Sequence, residues 1–186
     1  MVSVPGGGKG TLRKYLKSTR PELTYAVSCT SRAPRPDEVD GENYYFLSDQ
    51  EFKERIDRGD FLEWIQQDGG RYYGTLKSEI IDRLNDGQVV LREVEIRGVR
   101  AIRSLVPSEC LTVIFITAGS WEEMEQRMKA RAPISDAELA YRKERYELEL
   151  PFAREADHVI HNRNGALDQA KRELDLIIDE IVSKKK

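Results

Sequence analysis

Cysteine and histidine are scarce in this sequence, which limits the chemistry that it can perform. Its 186 residues contain two of each. Cys29 and Cys110 lie far apart and lack the spacing of a metal site, so we expect both to be reduced and structural. His158 and His161 are three residues apart on a predicted strand and point to opposite faces, which disfavours a metal site there.

Long apolar runs and an excess of one charge are also absent. No apolar run is long enough to span a membrane, and the N-terminus lacks the pattern of a signal peptide, so we expect a soluble cytoplasmic protein without a membrane partner. Lys and Arg total 30 against 33 Asp and Glu, a net charge of −3. This balance argues against a nucleic-acid polymer as partner, so any anion site must be local.

Strand-like and helix-like segments alternate along the chain, which predicts an α/β fold in a single domain. Two runs are short, β-branched and largely apolar, as buried strands of a parallel sheet are: VVLREVEI and CLTVIFITA. IRGVRAIRSLVP between them has the pattern of a crossover helix, and ALDQAKRELDLIIDEIV that of a closing amphipathic helix. Capping boxes predict the starts of two further helices, at Ser48 with Glu51 and at Ser120 with Glu123.

The stretch SVPGGGKGTL near the N-terminus has the features of a phosphate-binding loop. Gly6, Gly7 and Gly8 allow the backbone to curl, so that successive N–H groups face one anion. Lys9 supplies a positive charge, and a helix is predicted to follow at once. The alternative is a flexible glycine turn, because the glycines by themselves are not specific to phosphate.

This loop departs from the usual phosphate-loop pattern of Gly, four residues, Gly, Lys and then Ser or Thr. Ser3 occupies the position of the first glycine, and Gly10 follows the lysine. Thr11 comes next and could help to place Mg²⁺. Met1 to Val4 also leaves little chain for the strand that normally precedes such a loop, so either this strand is short or the natural chain begins earlier.

A second anion site is indicated by the turn SRAPRPDE. Arg32 and Arg35 flank Pro34, which stiffens the turn, so two guanidinium groups can converge on one phosphate with little loss of chain entropy. Tyr44 and Tyr73 could add hydroxyl donors. The alternative is an ordinary solvated basic turn.

Together, the glycine loop and the arginine turn imply two phosphorylated ligands, and phosphoryl transfer is the economical reaction between them. An acceptor phosphate monoester is mostly dianionic at pH 7, so no strong protein base is required. Four arginines on two polar helices could close over the transferring group, the alternative being that they are helix-surface residues. They are Arg127, Arg131, Arg142 and Arg145.

In their joint order and spacing, these segments resemble the guanylate kinase family over nearly the full chain. The segments that carry the resemblance are GGGKGTL, SCTSRAPRPDEVDGENYYF, FLEW, RYYGT, EVEIRGV, the arginines of the helix ending at Arg131, and VIHN. The resemblance implies transfer of a phosphoryl group from ATP to GMP, with Mg²⁺ bound to ATP. It also implies a P-loop kinase fold in three parts. A parallel-sheet core would comprise residues 1–30, 76–126 and 146–186. A small partly β GMP-binding sub-domain would comprise residues 31–75, and a helical lid residues 127–145.

The resemblance assigns a set of residues to GMP. Its phosphate would be held by Arg32, Arg35, Tyr44 and Tyr73, with Glu38 in the same loop. Its base would be lined by Ser28, Glu63, Thr75 and Glu93. Glu63 is expected to decide specificity, because guanine presents N1–H and an amino group as adjacent donors that one carboxylate can accept.

A second set of residues is assigned to ATP and to the transfer itself. ATP would be bound by Gly6, Gly7, Gly8, Lys9, Gly10 and Thr11, with Asn162 near the adenine. Catalysis would be carried by Lys9, Arg32, Arg131 and Arg142, the last two from the closing lid. Mg²⁺ would bridge the β- and γ-phosphates of ATP, with Thr11 and Glu95 as weak ligands that act mostly through water.

Several positions depart from the family's pattern. Glu93 and Glu95 replace an acidic pair that is commonly aspartate, so each carboxylate stands one methylene further out. Arg92 lies where this strand is usually apolar. Residues 132–134 read Ala-Pro-Ile where glycine and an acidic or hydroxyl residue are usual, and Arg163 takes a position that is often acidic. These departures indicate altered rates or nucleotide handling rather than another reaction.

Two rival functions stay open at this point. A guanylate-kinase-like interaction module would bind a phosphorylated peptide in the GMP cleft, but a peptide binder gains nothing from Lys9 and a glycine triplet, and Ser28 at a base-lining position also favours an enzyme. A kinase for another nucleoside monophosphate is disfavoured by Glu63. The sequence does not distinguish a monomer from a homodimer.

Overall fold

Strands and helices alternate along the chain, so the α/β class expected from the sequence is confirmed. The computed structural model describes residues 1–67 and 69–184. They belong to two compact units. The first unit comprises Met1–Pro21, Glu93–Ile96 and Ser108–Lys186, and the second Glu22–Arg92 and Arg97–Pro107. The finer division into a core, a GMP-binding sub-domain and a lid stays a prediction.

Nine strands and seven α-helices lie within the described residues. The strands are β1 (Val2–Ser3), β2 (Leu23–Tyr25), β3 (Ser28–Thr30), β4 (Tyr44–Phe46), β5 (Phe61–Gln66), β6 (Tyr72–Leu76), β7 (Val89–Leu91), β8 (Ile114–Thr117) and β9 (His158–His161). The helices are α1 (Lys9–Thr19), α2 (Asp49–Asp57), α3 (Arg83–Asn85), α4 (Ile96–Arg103), α5 (Trp121–Arg131), α6 (Asp136–Glu149) and α7 (Leu167–Lys184). A π-helical turn, Ser78–Asp82, leads into α3.

The first unit contains a parallel sheet in the order β1-β8-β9. The strand before the glycine loop is two residues long, with Val2 paired to Phe115 and Ser3 to Ile116. All four residues of β8 are buried, as the apolar run predicts. The closing helix α7 is amphipathic as expected, because Leu174 and Ile178, one turn apart, are among its buried residues. The sheet and these helices hold the glycine loop between β1 and α1.

The second unit contains a four-stranded mixed sheet in the order β4-β3-β6-β5 and a parallel pair, β2 with β7. Aromatic packing forms the core beside the larger sheet. The ring of Phe52 stacks on Phe61 at 4.3 Å and on Tyr72 at 5.3 Å between centroids. Phe52 comes from α2, whose start is set by the predicted capping box of Ser48 and Glu51, with both hydrogen bonds present. Local capping therefore fixes the helix that supplies the central core residue.

One predicted strand is wrong in its second half. VVLREVEI forms a strand only over β7, and residues 92–95 lie outside any strand. Three of these four residues are charged, and their side chains take polar partners instead of packing between layers. Arg92 donates to Thr75, while Glu95 pairs with Arg145 at 3.4 Å. Charge at these positions therefore ends the strand early.

The two cysteines are free thiols, as expected from their spacing. Cys29 is buried in the aromatic core, and burial raises the pKa of its thiol to about 12, so it stays protonated. Cys110 is exposed and does not contribute to that core. Over the described ranges, none of the helices is both long and apolar enough to cross a bilayer.

Candidate active site

The glycine loop of the first unit is held in a conformation that only glycine adopts easily. Gly6 has φ of 77° and Gly8 has φ of 93°, both in the left-handed region. Gly8 is the N-cap of α1, and its carbonyl accepts hydrogen bonds from the N–H groups of Thr11 and Leu12, each at 3.1 Å. The loop therefore turns directly into a helix N-terminus, which is an anion-binding arrangement.

Asn162 fastens this loop from the end of β9. Its side-chain amide is buried and donates to the carbonyl of Gly7 at 3.0 Å, while its own N–H donates to Thr117 at 2.7 Å. A Cβ on Gly8 would lie 2.2 Å from the Asn162 amide nitrogen, closer than atoms can approach. Arg127 in turn donates to the Asn162 carbonyl at 2.6 Å. The loop and Asn162 thus form one packed element.

A cleft of about 740 Å³ opens at the loop, and its lining combines the loop backbone with charged side chains. Among the lining side chains are Lys9, Thr11, Lys14, Glu95, Arg142 and Arg145. A second cleft of about 710 Å³ shares Gly6, Gly8, Thr11 and Arg142 with the first and is lined also by Arg127 and Asn162. The first unit therefore gathers most residues that the sequence assigned to ATP around two cavities large enough for a nucleotide.

The arginines of α5 and α6 have different surroundings. Arg142 donates to Glu138 at 2.8 Å and to the sulfur of Met128 at 3.5 Å, so it bridges the two helices. Arg145 binds Glu149 on its own helix and Glu95 at 3.4 Å. Arg131 is the last residue of α5, and its side chain, which the sequence assigned to catalysis, lies outside the described residues.

The side chains around the glycine loop suit a metal ion that arrives with a phosphate ligand. Thr11 and Glu95 line the same cleft. Within residues 1–67 and 69–184, His, Cys, Asp and Glu form no cluster of three or more that could hold a metal by themselves. Mg²⁺ commonly binds through one or two protein oxygens, phosphate oxygens and water, and this donor set fits that mode.

The arginine turn of the second unit is organised around Glu38. Both terminal nitrogens of Arg32 donate to the Glu38 carboxylate, each at 2.8 Å, and the backbone N–H of Arg35 donates to it at 2.8 Å. These hydrogen bonds, that from Arg32 first, lower the pKa of Glu38 to about 2. The guanidinium of Arg32 also lies 5.4 Å from the centre of the Tyr44 ring. Arg32 is therefore oriented before any ligand binds, whereas Arg35 is exposed.

Four residues assigned to GMP form a row across the four-stranded sheet. Tyr44 of β4 is paired with Ser28 of β3, and Ser28 is paired with Thr75 of β6. Thr75 is paired in turn with Glu63 of β5. Because paired residues point to the same face of a sheet, these side chains project together. Tyr73, two residues before Thr75, lies on that face too, and its ring is 6.1 Å from that of Tyr44.

At the β5 end of this row, three side chains form a hydrogen-bonded network. The hydroxyl of Thr75 donates to Glu63 Oε1 at 2.6 Å, and Arg92 donates to the same hydroxyl from Nε at 3.1 Å and from Nη2 at 2.6 Å. Sequence reasoning noted Arg92 only as a departure from an apolar pattern. The signal for this contact was the charge of Arg92 directly after the apolar run Val89–Leu91, because a charge there needs partners.

Glu93 belongs to a different unit from the other residues that the sequence assigned to the base. It belongs to the first unit, where its Oε2 lies 3.8 Å from Nε of Arg13. Its Oε1 is buried and has no hydrogen-bond partner among the described residues. Ser28, Glu63 and Thr75 belong to the second unit. The assignment of Glu93 to the base therefore stays a prediction.

Known proteins of one family resemble this chain over most of its length. The guanylate kinase family model matches residues 1–181. A guanylate kinase from Trichormus variabilis is 43% identical over 157 residues, which is 84% of this chain and 77% of that protein. One from Synechococcus sp. is 41% identical over 157 residues, 84% of each chain. A crystal structure of guanylate kinase from Anaplasma phagocytophilum superimposes with a TM-score of 0.72 over 99% of this chain and 84% of that one, at 23% identity, so the fold expected from the sequence is confirmed.

Proposed function

The chain belongs to the guanylate kinase family, and from this premise we propose that it transfers the terminal phosphoryl group of ATP to GMP, giving ADP and GDP. The observation that carries the proposal is the row of Tyr44, Ser28, Thr75 and Glu63. Strands in a sheet lie about 4.8 Å apart, so this row spans about 14 Å, comparable to the length of a nucleoside monophosphate. A carboxylate stands at one end of it and Arg32 at the other.

The ends of this row match the ends of GMP. The carboxylate of Glu63 accepts hydrogen bonds from N1–H and the amino group of guanine, which adenine cannot supply together. At the other end the phosphate meets Arg32, Arg35, Tyr44 and Tyr73. The Nε of Arg32 is buried and has no hydrogen-bond partner among the described residues, while Glu38 holds the other two nitrogens, so a phosphate that reaches Nε would supply its missing acceptor. Ser28 and Thr75 would lie along the base, and Glu93 is proposed as a further ligand of the base.

The glycine loop is proposed as the site of the ATP phosphates. The backbone N–H groups of Gly6, Gly8 and Gly10 would face the phosphates, whereas the N–H of Gly7 donates to the Val4 carbonyl at 3.1 Å. Lys9 would neutralise the charge on the group in transfer. Mg²⁺ bound with ATP would neutralise charge on the β- and γ-phosphates. Thr11 and Glu95 would hold the ion, mostly through water, and the adenine would lie near Asn162 in the neighbouring cleft.

Positioning and charge neutralisation account for the catalysis that these residues can provide. The acceptor phosphate is mostly dianionic at pH 7, so the transfer needs no strong base. Lys9, Arg32, Arg131 and Arg142 supply positive charge around the transferring group. Closure of the lid at residues 127–145 and of the sub-domain at residues 31–75 would exclude water that could hydrolyse ATP. Both substrates are cytoplasmic nucleotides, and we place the protein in that compartment.

A coupled assay of ADP formation tests this proposal. Protein shown to be folded by its circular dichroism spectrum is supplied with MgATP and, in turn, with GMP, AMP, dUMP and CMP. We expect turnover with GMP and little with the other three acceptors. Turnover with none of them would contradict an enzyme and favour the interaction module, whereas equal turnover with GMP and AMP would contradict the role of Glu63.

A further inference from the structure

We propose that Arg92 is a positioning residue for guanine recognition, which acts on the base through Thr75 and Glu63. The inference rests on the proposed function, because it names how the guanine-binding carboxylate is held. Arg92 follows directly on β7, whose three residues, Val89–Leu91, are all apolar. Its charge there needs polar partners.

The geometry places all three residues in one unit and in direct contact. Glu63 and Thr75 are cross-strand partners in the pair β5 and β6, so their side chains are adjacent on one face. Thr75 is fully buried, and the side chains of Arg92 and Glu63 are 16% and 17% exposed. Two nitrogens of Arg92 reach the single hydroxyl of Thr75, at 3.1 Å and 2.6 Å. Such a fork leaves the hydroxyl little freedom to rotate.

The hydrogen-bonding capacities of these groups fix the direction of every bond in the network. Arginine can only donate, and a threonine hydroxyl has one hydrogen and two lone pairs. When Arg92 occupies the lone pairs of Thr75, the hydroxyl hydrogen must go to Glu63 Oε1, at 2.6 Å. Glu63 is thereby held as an acceptor through Oε1. Oε1 keeps a second lone pair and Oε2 has two, so the carboxylate can still accept from both donors of a base.

Charge reinforces this arrangement. Arg92 Nη2 lies 3.9 Å from Glu63 Oε1, so the carboxylate has an opposite charge close to it in a largely buried place. A buried charge without a partner is costly, and Arg92 removes that cost before guanine arrives. Arg92 therefore supports the orientation of Glu63 and places an opposite charge beside it.

The test compares GMP with IMP, which differs from GMP only by lacking the amino group on the base. We would measure kcat/KM for both acceptors in the wild type, Arg92→Leu, Arg92→Lys, Thr75→Val and the double variant Arg92→Leu/Thr75→Val. For Arg92→Leu we expect kcat/KM for GMP to fall about ten- to a hundredfold, mainly through KM, and that for IMP to fall less. Arg92→Lys keeps the charge without the fork and should retain part of the preference for GMP.

A role confined to stability would give a different result. It would lower the denaturation midpoint of Arg92→Leu while leaving the ratio of GMP to IMP activity as in the wild type, and that outcome would overturn the inference. Arg58→Leu removes an exposed arginine of the same unit and is the matched control. If Arg92 acts through Thr75, the effects of Arg92→Leu and Thr75→Val are less than additive. Additive effects would contradict the proposed path.

Two further outcomes have to be distinguished: a variant that does not fold, and a wild type that does not use GMP. If Arg92→Leu does not fold, Arg92→Lys and Thr75→Val carry the same comparison of acceptors, and an unchanged ratio in both would again overturn the inference. Failure of the wild type to use GMP at all would instead refute the proposed function. The two failures are therefore distinguishable within one set of assays.

Discussion

Glu38 binds Arg32 through two hydrogen bonds of 2.8 Å, one from each terminal nitrogen of the guanidinium. Only 11% of the Arg32 side chain and 12% of the Glu38 side chain are exposed. The arginine that is proposed to hold the GMP phosphate is therefore already aligned by a carboxylate from its own turn. Alignment before binding reduces the entropy that the ligand must otherwise remove.

This pairing predicts how stability depends on pH. The pKa of Glu38 is lowered from its ordinary 4.5 to about 2, so its contribution to the free energy of unfolding is complete above pH 4.5 and is lost as the pH falls towards 2. We expect Glu38→Gln to destabilise the protein at pH 7 and to differ less from the wild type at pH 3. Denaturant unfolding at pH 7, 4.5 and 3 measures this, with Glu42→Gln, an exposed position of the same segment, as the control. If the free energies of unfolding of Glu38→Gln and the wild type differed by the same amount at all three pH values, the prediction would be wrong.

Lys9→Ala and Glu63→Gln should separate catalysis from recognition. We expect Lys9→Ala to lower turnover about a hundredfold or more with GMP affinity nearly unchanged, because the lysine lies in the cleft of the glycine loop. Glu63→Gln should weaken GMP binding about tenfold or more and leave ATP affinity unchanged, because the amide N–H groups of glutamine would face the N–H donors of guanine. Calorimetric titration and steady-state assays measure both, with exposed Lys17→Ala as the control. Equal loss of GMP binding in both variants would refute this division.

Gly8→Ala should destabilise the protein, whereas Gly10→Ala should not. Gly8 has φ of 93°, and a Cβ there would lie 2.2 Å from the amide nitrogen of Asn162. We expect Gly8→Ala to lower the free energy of unfolding by about 1–3 kcal/mol. Gly10 lies in α1 with no atom within 4 Å of an added Cβ, so alanine there should be neutral or stabilising by up to about 1 kcal/mol. Denaturant unfolding compares the two, and equal effects would show that the loop is not strained.

Asn162→Ala should loosen the glycine loop. The variant leaves the Gly7 carbonyl without its buried partner at 3.0 Å, which should lower the free energy of unfolding by about 1–3 kcal/mol. Asn85→Ala, at an exposed position of α3, is the control and should change it by less than about 0.5 kcal/mol. KM for ATP and for GTP should rise together, because the loop holds phosphates that both share. A selective loss of ATP binding with unchanged stability would instead assign Asn162 to the adenine alone.

Helices and strands were largely predictable because their determinants are local. The capping box of Ser48 and Glu51 spans three residues, and the apolar spacing of α7 is visible in one segment. The error at VVLREVEI has the same origin: a pattern of side chains does not show that Arg92 and Glu95 find polar partners elsewhere in the chain. Where partners are distant, local patterns mislead.

The sequence by itself determined the family, the α/β alternation and the residue types that each nucleotide requires, because loop, turn and helix signals act over a few neighbouring positions. Only the tertiary structure decided which of those residues meet. The row from Tyr44 to Glu63 depends on the register of four strands. The bond from Asn162 to Gly7 joins positions 155 residues apart, and Arg92 reaches Thr75 from the segment after β7. Such contacts are set by the packing of distant segments, in which every pairing depends on all the others.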